Sequence, residues 1–463
     1  MRLFFGCCVL FLFVGCRHIP AEWNPRQFSS PYFDPQPDAV LSFVPVNETD
    51  SADQNHISDF VDYYVELALE RNPEIRARAR RAQALAERFP QATALPDPIL
   101  SNTIWPISSN APQTAMGRST HSLTLMQRYP WFGKLRLRGE VARADARIAL
   151  TELAAAQLKV IEDVKLAYYE IYFNQRAIDI TRHDEALLRD IVKFAEARYK
   201  VGQASQQDVL RAQVELTKIR EQLIRFERAL RVAQADLATL LSLPAESDLR
   251  AAGLPDSVSI PDELDALYEV ALATRPELQG RLEAIFRDQR LVELSRLESR
   301  PDVDLGITWA ASTRAAALAP SANGNDMIGL NLNLNLPIWK RKLDAAVREA
   351  QNRAAESREL YDSTRNETFR FIRRLIVQAH AIEQQVALFR DEIIPKAEQT
   401  LKTSTADYRV GKVDMLTLLD NWSQLLRFEI QLVRLQANLF QVLASLERVL
   451  GTELSATTPA PTR

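Results

Sequence analysis

Leucine and asparagine alternate strictly within the segment GLNLNLNLPIWKRK at residues 329–342. Because successive side chains of a β-strand point to opposite faces, this alternation predicts a strand with one apolar and one polar face. The apolar face would carry Leu330, Leu332, Leu334 and Leu336, and the polar face Asn331, Asn333 and Asn335. Such a strand suits either an antiparallel sheet on a soluble core or a transmembrane barrel with lipid outside and water inside.

Three further segments alternate in the same way. Residues 302–310 would place Val303, Leu305, Ile307 and Trp309 on one face and Asp302, Asp304, Gly306 and Thr308 on the other. Residues 121–130 (HSLTLMQRYP) and, more weakly, 98–105 (PILSNTIW) predict two strands in the first half of the chain. Acidic side chains fit a water-filled lumen better than a buried sheet face, so the pattern favours the barrel.

Each half continues from its last strand into a very long helix. Pro130 and Pro337 should end these strands, because proline cannot donate to a strand ladder but can open a helix. Helix-favouring residues then continue over 135–199 and again over 343–408. At about 1.5 Å per residue, such helices are on the order of 100 Å long, which no compact domain needs. Pro395 interrupts the second helix and should bend it.

The chain also repeats itself once. ALERNPEI at 68–75 returns as ALATRPEL at 271–278, RYPWFGK at 128–134 as NLPIWKR at 335–341, and RYKVGQ at 198–203 as DYRVGK at 407–412. We therefore predict a first structural repeat at 58–255 and a second at 256–454. Each repeat would contain a helix, two strands and a long helical hairpin. Two copies are fewer than the many short units of a solenoid.

Composition narrows the function classes. The 463-residue chain is 25% charged and 46% hydrophobic, the balance of an ordinary folded protein rather than a helical multispan membrane protein. Its net charge of −3 provides no basic excess, so nucleic acid is not an expected partner. Only 13 glycines indicate few turns and long uninterrupted elements.

The N-terminus predicts export and a lipid anchor. Residues 1–15 contain Arg2 and an apolar run too short to span a membrane, which is typical of a signal peptide. The stretch FVGC resembles a bacterial lipoprotein signal, which implies a covalent lipid on Cys16; a plain secretory signal is the alternative. Arg17 stands where an aspartate would favour retention at the inner membrane, and this points to the outer membrane.

Two segments beside the repeats are expected to lack a packed core. Residues 16–57 would form the lipid anchor and an extended linker, since they contain six prolines and little periodicity. Residues 455–463 would form a disordered C-terminal tail.

The sequence offers little catalytic chemistry. The five histidines form no H-E-x-x-H motif, and the chain contains no G-x-x-x-x-G-K-[ST] phosphate loop. His380 and Glu383 lie one helical turn apart, but such pairs are more often solvated than metal-binding. We therefore expect no enzyme, no metal site and no cofactor other than the lipid. Without an ATP site, the energy for any transport must come from a partner.

Four predicted strands are too few to close a membrane barrel, because known closed barrels start near about eight strands. An open sheet edge in lipid leaves backbone groups unpaired, which is costly. A barrel would therefore require a dimer with eight strands or a trimer with twelve. The alternative from another class is a lipid-anchored periplasmic coiled-coil scaffold with a soluble β-domain.

The lipoprotein signal, the tandem duplication, the strand pairs ending in proline and the Y-x-x-G turns between long helices together resemble a TolC-family outer-membrane efflux protein. The resemblance covers nearly the whole mature chain. It implies an α+β membrane protein: a trimer whose twelve-stranded transmembrane β-barrel, four strands per chain, continues into a long antiparallel α-helical barrel in the periplasm. The leucines would then face lipid and the asparagines the pore.

The resemblance also implies roles for particular residues. The segments at 197–213 and 406–422 match the two periplasmic-tip turns, where family members meet a periplasmic adaptor. The residues carried over to adaptor contact are Tyr199, Gly202, Asp208, Tyr408 and Gly411. Asp420 lies where family members have an acidic ring that gates the channel, whereas Thr417 departs from that pattern. Helix capping is the alternative role for Asp208, which forms a capping-box pattern with Ser205, and for Asp414.

The implied function is a passive exit duct for substrates that an inner-membrane pump delivers through the adaptor. The implied location is the bacterial outer membrane, with the helices in the periplasm. The sequence leaves metal ions, drugs and polypeptides all open as substrates, because channels of this family are passive and rarely select the substrate themselves.

Overall fold

The structure is a computed structural model and describes residues 61–255, 260 and 263–454. The signal peptide, Cys16, the linker and the C-terminal tail predicted above lie outside the described residues. The described part is mostly helical, with one small sheet. None of its helices combines the length and the apolar character needed to cross a membrane.

The two halves of the chain contain the same kinds of element in the same order. The first half consists of α1 (Val61–Arg71), α2 (Pro73–Ala86), α3 (Arg88–Thr93), β1 (Ile99–Ile104), β2 (Gln113–Thr114), β3 (Gly117–Tyr129), α4 (Lys134–Lys200) and α5 (Gln206–Leu240). The second consists of α6 (Leu264–Thr274), α7 (Pro276–Leu297), β4 (Val303–Thr313), β5 (Met327–Leu334), α8 (Lys340–Leu388), α9 (Ile394–Arg409) and α10 (Met415–Leu450). Each half has short helices, strands and a long hairpin, in keeping with a duplication.

Proline divides the short helices at equivalent points. The sequence predicts one helix at the start of each repeat, but the structure has a break before Pro73 and before Pro276. Each proline occupies the first turn of the next helix, where its missing N–H is not needed. The Asn72 side chain caps α2 by accepting a hydrogen bond from the Glu74 backbone N–H at 2.9 Å.

The sheet is antiparallel, with the order β1-β3-β4-β5, and the two-residue strand β2 pairs with β3 beside the four long strands. All four predicted strands are present. The β5 prediction was too long, because the strand ends at Leu334 and therefore excludes Asn335 and Leu336. The Asn335 side chain instead accepts a hydrogen bond from the Asp302 backbone N–H.

The two faces of the sheet differ in polarity, as the alternation predicts. On one face Leu125 lies opposite Ile307, which lies opposite Leu330, and these side chains are 50%, 50% and 84% exposed. On the other face the Thr124 and Thr308 hydroxyls are 2.7 Å apart, and the Asn331 amide donates to Thr308 at 2.6 Å. The sheet therefore presents an uncovered apolar face and a hydrogen-bonded polar face.

The first long helix is continuous, whereas the second is interrupted. α4 spans 67 residues without a break. Between α8 and α9, residues Phe389–Ile393 form a π-helical turn directly before Pro395. Proline lacks an N–H and its ring crowds the carbonyl four residues earlier, here that of Asp391. The wider π turn accommodates this conflict at the place where the sequence predicts a bend.

Among the described residues, two apolar clusters join the long helices. One lies between α6, α8 and α10, where Leu435, Val442, Leu446 and Val449 recur at helical spacing along α10. The other, the tip cluster, joins the ends of both hairpins through Leu188, Val192, Ala195, Val209, Ala212, Ile219, Tyr408, Met415, Leu418, Leu419, Trp422 and Leu426. Because the tip cluster draws on α4, α5, α9 and α10, it fixes the two turns relative to one another.

A buried lysine joins the first hairpin to the sheet. Lys134, the first residue of α4, is fully buried, and its ammonium lies 2.8 Å from Asp302 and 3.4 Å from Glu298. The same ammonium donates to the Arg300 carbonyl at 3.2 Å. The Trp131 backbone N–H donates to the same Asp302 oxygen at 2.9 Å. This network ties the end of β3 to the start of β4.

Replacing Lys134 by methionine should destabilise the protein by about 2 kcal/mol, because it removes a fully buried cation and leaves the partly buried Asp302 without its partner. The matched control is Arg136→Gln, which removes an exposed ion pair with Glu140 and should change stability by at most about 0.5 kcal/mol. Thermal unfolding of the purified protein in detergent, followed by circular dichroism, measures both. Equal effects of the two variants would contradict the role of the network.

Candidate functional site

The two turns that end the long hairpins have the same backbone geometry. The Gly202 N–H donates to the Tyr199 carbonyl at 3.0 Å, and the Gln203 N–H donates to the Arg198 carbonyl at 2.8 Å. The same pair of bonds recurs around Gly411, which is Schellman geometry. Gly202 and Gly411 have φ of +72° and +77°, a region that favours glycine. The repeated Y-x-x-G motif therefore specifies this turn.

Each turn is followed by a capped helix. The Ser205 hydroxyl accepts a hydrogen bond from the Asp208 N–H, and the Asp208 carboxylate accepts one from the Ser205 N–H, both at 3.1 Å. Asp414 caps α10 by accepting a hydrogen bond from the Thr417 N–H at 3.1 Å. Capping thus explains the polarity of Asp208 and Asp414, and Thr417 occupies the position that Asp208 has in the first turn.

The two tyrosines of the Y-x-x-G motifs differ in exposure. Tyr199 is 47% exposed, whereas Tyr408 is 5% exposed and belongs to the tip cluster. Arg198 crosses from the first turn to the second: its guanidinium donates to the Tyr408 carbonyl at 2.6 Å and lies 5.1 Å from the centre of the Tyr408 ring. The second tyrosine therefore supports the tip from within, while the first lies on its surface.

An apolar surface surrounds both glycines. Val201 and Val410, the residues before Gly202 and Gly411, are each 68% exposed. Together with Tyr199, they form what we call the tip surface. Exposed branched apolar side chains at the ends of two rigid helical hairpins are typical of a protein contact.

Asp420 lies in the second turn of α10 and is exposed. It takes no part in capping, which the structure assigns to Asp414. Within the described residues, the Asp420 carboxylate has no ion-pair partner, although its backbone carbonyl accepts a bond from the Ser423 hydroxyl at 3.3 Å. Its charge is therefore available to solvent or to another copy of the chain.

Sequence reasoning missed a buried carboxylate beside the tip cluster. The indole N–H of Trp422 on α10 donates to Asp184 on α4 at 2.8 Å, and both side chains are more than nine-tenths buried. Thr181, Asp184 and Leu188 recur at helical spacing on the buried face of α4. A carboxylate at such an apolar-face position was the signal that could have found this pair.

Burial raises the pKa of two carboxyl groups here. Burial raises the pKa of Asp184, although its hydrogen bond with Trp422 opposes this shift. Burial, together with the negative charges of Asp184 and Glu398, raises the pKa of Glu429 on α10 to about 7, whereas His183 acts to lower it. Glu429 thus titrates near neutral pH between the two hairpins.

Between pH 4.5 and about 7, the folded protein should keep a proton on Glu429 that the unfolded chain has already released. The stabilising contribution is therefore present in acid and is lost as pH rises through about 7. Glu429→Gln should leave the thermal midpoint nearly unchanged at pH about 5 and raise it relative to the natural protein at pH about 8. Glu221→Gln, at an exposed ion pair on α5, should show no such pH dependence. Parallel behaviour of both variants would contradict this assignment.

Residues 64–242 and 267–452, more than half of the chain, match the family described as "Outer membrane efflux protein". The pyoverdine export outer membrane protein OpmQ of Pseudomonas putida is 23% identical over 58% of this chain and 57% of its own length. Nodulation protein T of Rhizobium leguminosarum biovar trifolii is 21% identical over 77% of this chain and 78% of its own. The chain thus spans little more than half the length of the first of these relatives.

The fold is also similar to a solved structure. The outer membrane protein VceC from Vibrio cholerae superposes with a TM-score of 0.71 at 20% identity, over 87% of this chain and 98% of that one. The two matched segments coincide with the two repeats, each of which contains one tip turn. The resemblance inferred from the sequence is therefore confirmed, and the chain belongs to the outer membrane efflux protein family.

Proposed function

We propose that three copies of this chain form an outer-membrane exit duct, through which substrates delivered by an inner-membrane pump and a periplasmic adaptor leave the cell. The observation that carries the proposal is the sheet, which has an uncovered apolar face, a polar face and two edge strands, β1 and β5. Members of the family are channels rather than enzymes. The chain would accordingly conduct substrates without acting on them chemically.

The edge strands support closure by further copies. In lipid, the unpaired backbone groups of β1 and β5 would lack water to bond with, so each edge needs another strand. Pairing β5 of one copy with β1 of the next satisfies both edges, and three copies with four long strands each give a twelve-stranded barrel. In that barrel the leucine face contacts lipid, and the polar face with Thr308 and Asn331 lines water.

The hairpins would continue the barrel as a helical tunnel across the periplasm. The tip surface is the proposed adaptor contact, since it exposes Tyr199, Val201 and Val410 at the far end of the hairpins from the sheet. Gly202, Asp208, Tyr408 and Gly411 would shape this contact through the turns and caps described above. The lipid proposed on Cys16 would anchor the chain to the outer membrane.

Asp420 is the proposed gate residue. Three exposed carboxylates brought close to one threefold axis would attract cations and repel one another, which is a common way to select and gate ions. Its freedom from capping and from ion pairs within the described residues supports this role.

Single-channel recording in planar bilayers tests the duct and the gate together. The purified protein should give discrete conductance steps, and Asp420→Ala should raise the resting conductance because the repelling charges disappear. Asp190→Ala, which removes an exposed carboxylate paired with Lys193 on α4, should leave the conductance unchanged. Unchanged steps in Asp420→Ala would discard the gate alone, whereas silence from a well-folded trimer would discard the duct and favour the scaffold.

Adaptor capture tests the tip surface. Replacing Val201 and Val410 together by aspartate should lower the amount of adaptor that co-purifies from cross-linked cells by about tenfold or more, because buried apolar anchors dominate such contacts. Val232→Asp, at a 56% exposed valine far along α5, is the matched control. Equal recovery of the adaptor with both proteins would place the contact elsewhere.

A further inference from the structure

The ion pair between the buried Lys134 and Asp302 lies where the first repeat meets the second. Lys134 follows β3 and Asp302 precedes β4, and these two strands are paired. Within the described sheet, β3 and β4 form the ladder that joins the repeats, because β1 pairs with β3 and β5 with β4. The ion pair therefore connects the two repeats beside the paired strands β3 and β4. We call this boundary between the repeats the internal seam.

The duplication places an equivalent cation and an equivalent carboxylate at the two ends of the sheet. Aligning RYPWFGK with NLPIWKR equates Lys134 with Arg341, and aligning LPDPIL (95–100) with RPDVDL (300–305) equates Asp302 with Asp97. The register supports the second alignment. Leu100 lies opposite Leu125, and Leu305 lies opposite Gln127, so both leucines lie on the apolar face of the sheet.

Neither residue has a partner for its charge within the described chain. Arg341 follows the edge strand β5 and Asp97 precedes the opposite edge strand β1, and both are exposed. Neither forms an ion pair with any described residue. Lys134, their equivalent at the internal seam, is by contrast fully buried against two carboxylates.

The short helices follow the same pattern. α4 packs against α2 and α3 of its own repeat and also against α7 of the second repeat. Its equivalent α8 packs against α7 of its own repeat, and among the described residues it has no comparable packing against α2 and α3. The α2 and α3 helices of another copy would pack against α8 if the arrangement between repeats were continued between chains.

We propose that Arg341 forms an ion pair with Asp97 of the partner subunit, so that each boundary between copies repeats the internal seam of Lys134 and Asp302. This inference rests on the proposed assembly and specifies its contact. The arginine suits the position, since the second carboxylate of the internal seam, Glu298, has Thr93 as its equivalent. One carboxylate then has to satisfy the cation, and a guanidinium can bind it with two parallel hydrogen bonds.

Cross-linking tests the proposed neighbours. A chain carrying both Asp97→Cys and Arg341→Cys, treated in detergent with a short thiol-specific cross-linker, should give covalent dimers and trimers on denaturing gels. Each single variant should give none, which also controls for the three natural cysteines at positions 7, 8 and 16. The matched pair Arg128→Cys and Asp304→Cys joins side chains 2.9 Å apart within one chain and should remain monomeric.

Charge exchange tests the interaction itself. Arg341→Asp and Asp97→Arg should each lower the temperature at which the oligomer dissociates in detergent, and the double variant should recover most of that loss. If light scattering shows that the natural protein is a trimer, two results would overturn the pairing. These are a double variant that does not recover the lost stability and a doubly cysteine-substituted chain that gives no covalent oligomers. A natural protein that is monomeric by light scattering in mild detergent would instead overturn the proposed assembly.

Discussion

Antiparallel backbone pairing between β3 and β4 is the constraint on which the arrangement of this chain depends. Through this contact the sheet joins the two repeats. The ion pair between the buried Lys134 and Asp302 adds a second connection beside it. Once these strands are paired, β1 and β5 necessarily become the edges. A duplicated unit that pairs with its own copy in this way retains two unpaired edges, on β1 and on β5, and each presents both N–H donors and C=O acceptors to a strand of another chain.

The helices serve a different physical requirement, namely to hold two turns at a fixed distance from the sheet. Their length leaves them little core of their own, and apolar residues at helical spacing supply it along the seams. At the far end the tip cluster, the Schellman turns and the Arg198 contact with Tyr408 bind both hairpins together. The exposed valines are thereby presented on a rigid support, which suits them for recognition.

Polar groups between the hairpins make this support sensitive to pH. Asp184 with Trp422 replaces an apolar contact by a buried hydrogen bond, and Glu429 adds a carboxyl group whose pKa burial raises to about 7. A fully apolar interface would be insensitive to protonation. Asp184 lies on α4 and Glu429 on α10, and these two helices pack against each other, so proton release from Glu429 adds a negative charge where the hairpins meet.

Local pattern determined much of this protein. Alternation specified the four long strands, the Y-x-x-G motif the turns, and the repeated prolines the duplication, because each depends on residues near one another in sequence. The end of β5 at Leu334, the π turn before Pro395 and the burial of Tyr408 beside the exposed Tyr199 were decided only by tertiary structure. So was the meeting of Asp184 with Trp422, 238 residues apart. These features depend on which side chains from distant parts of the sequence pack against one another. Periodicity depends only on residues that are close in sequence, so it could not predict them.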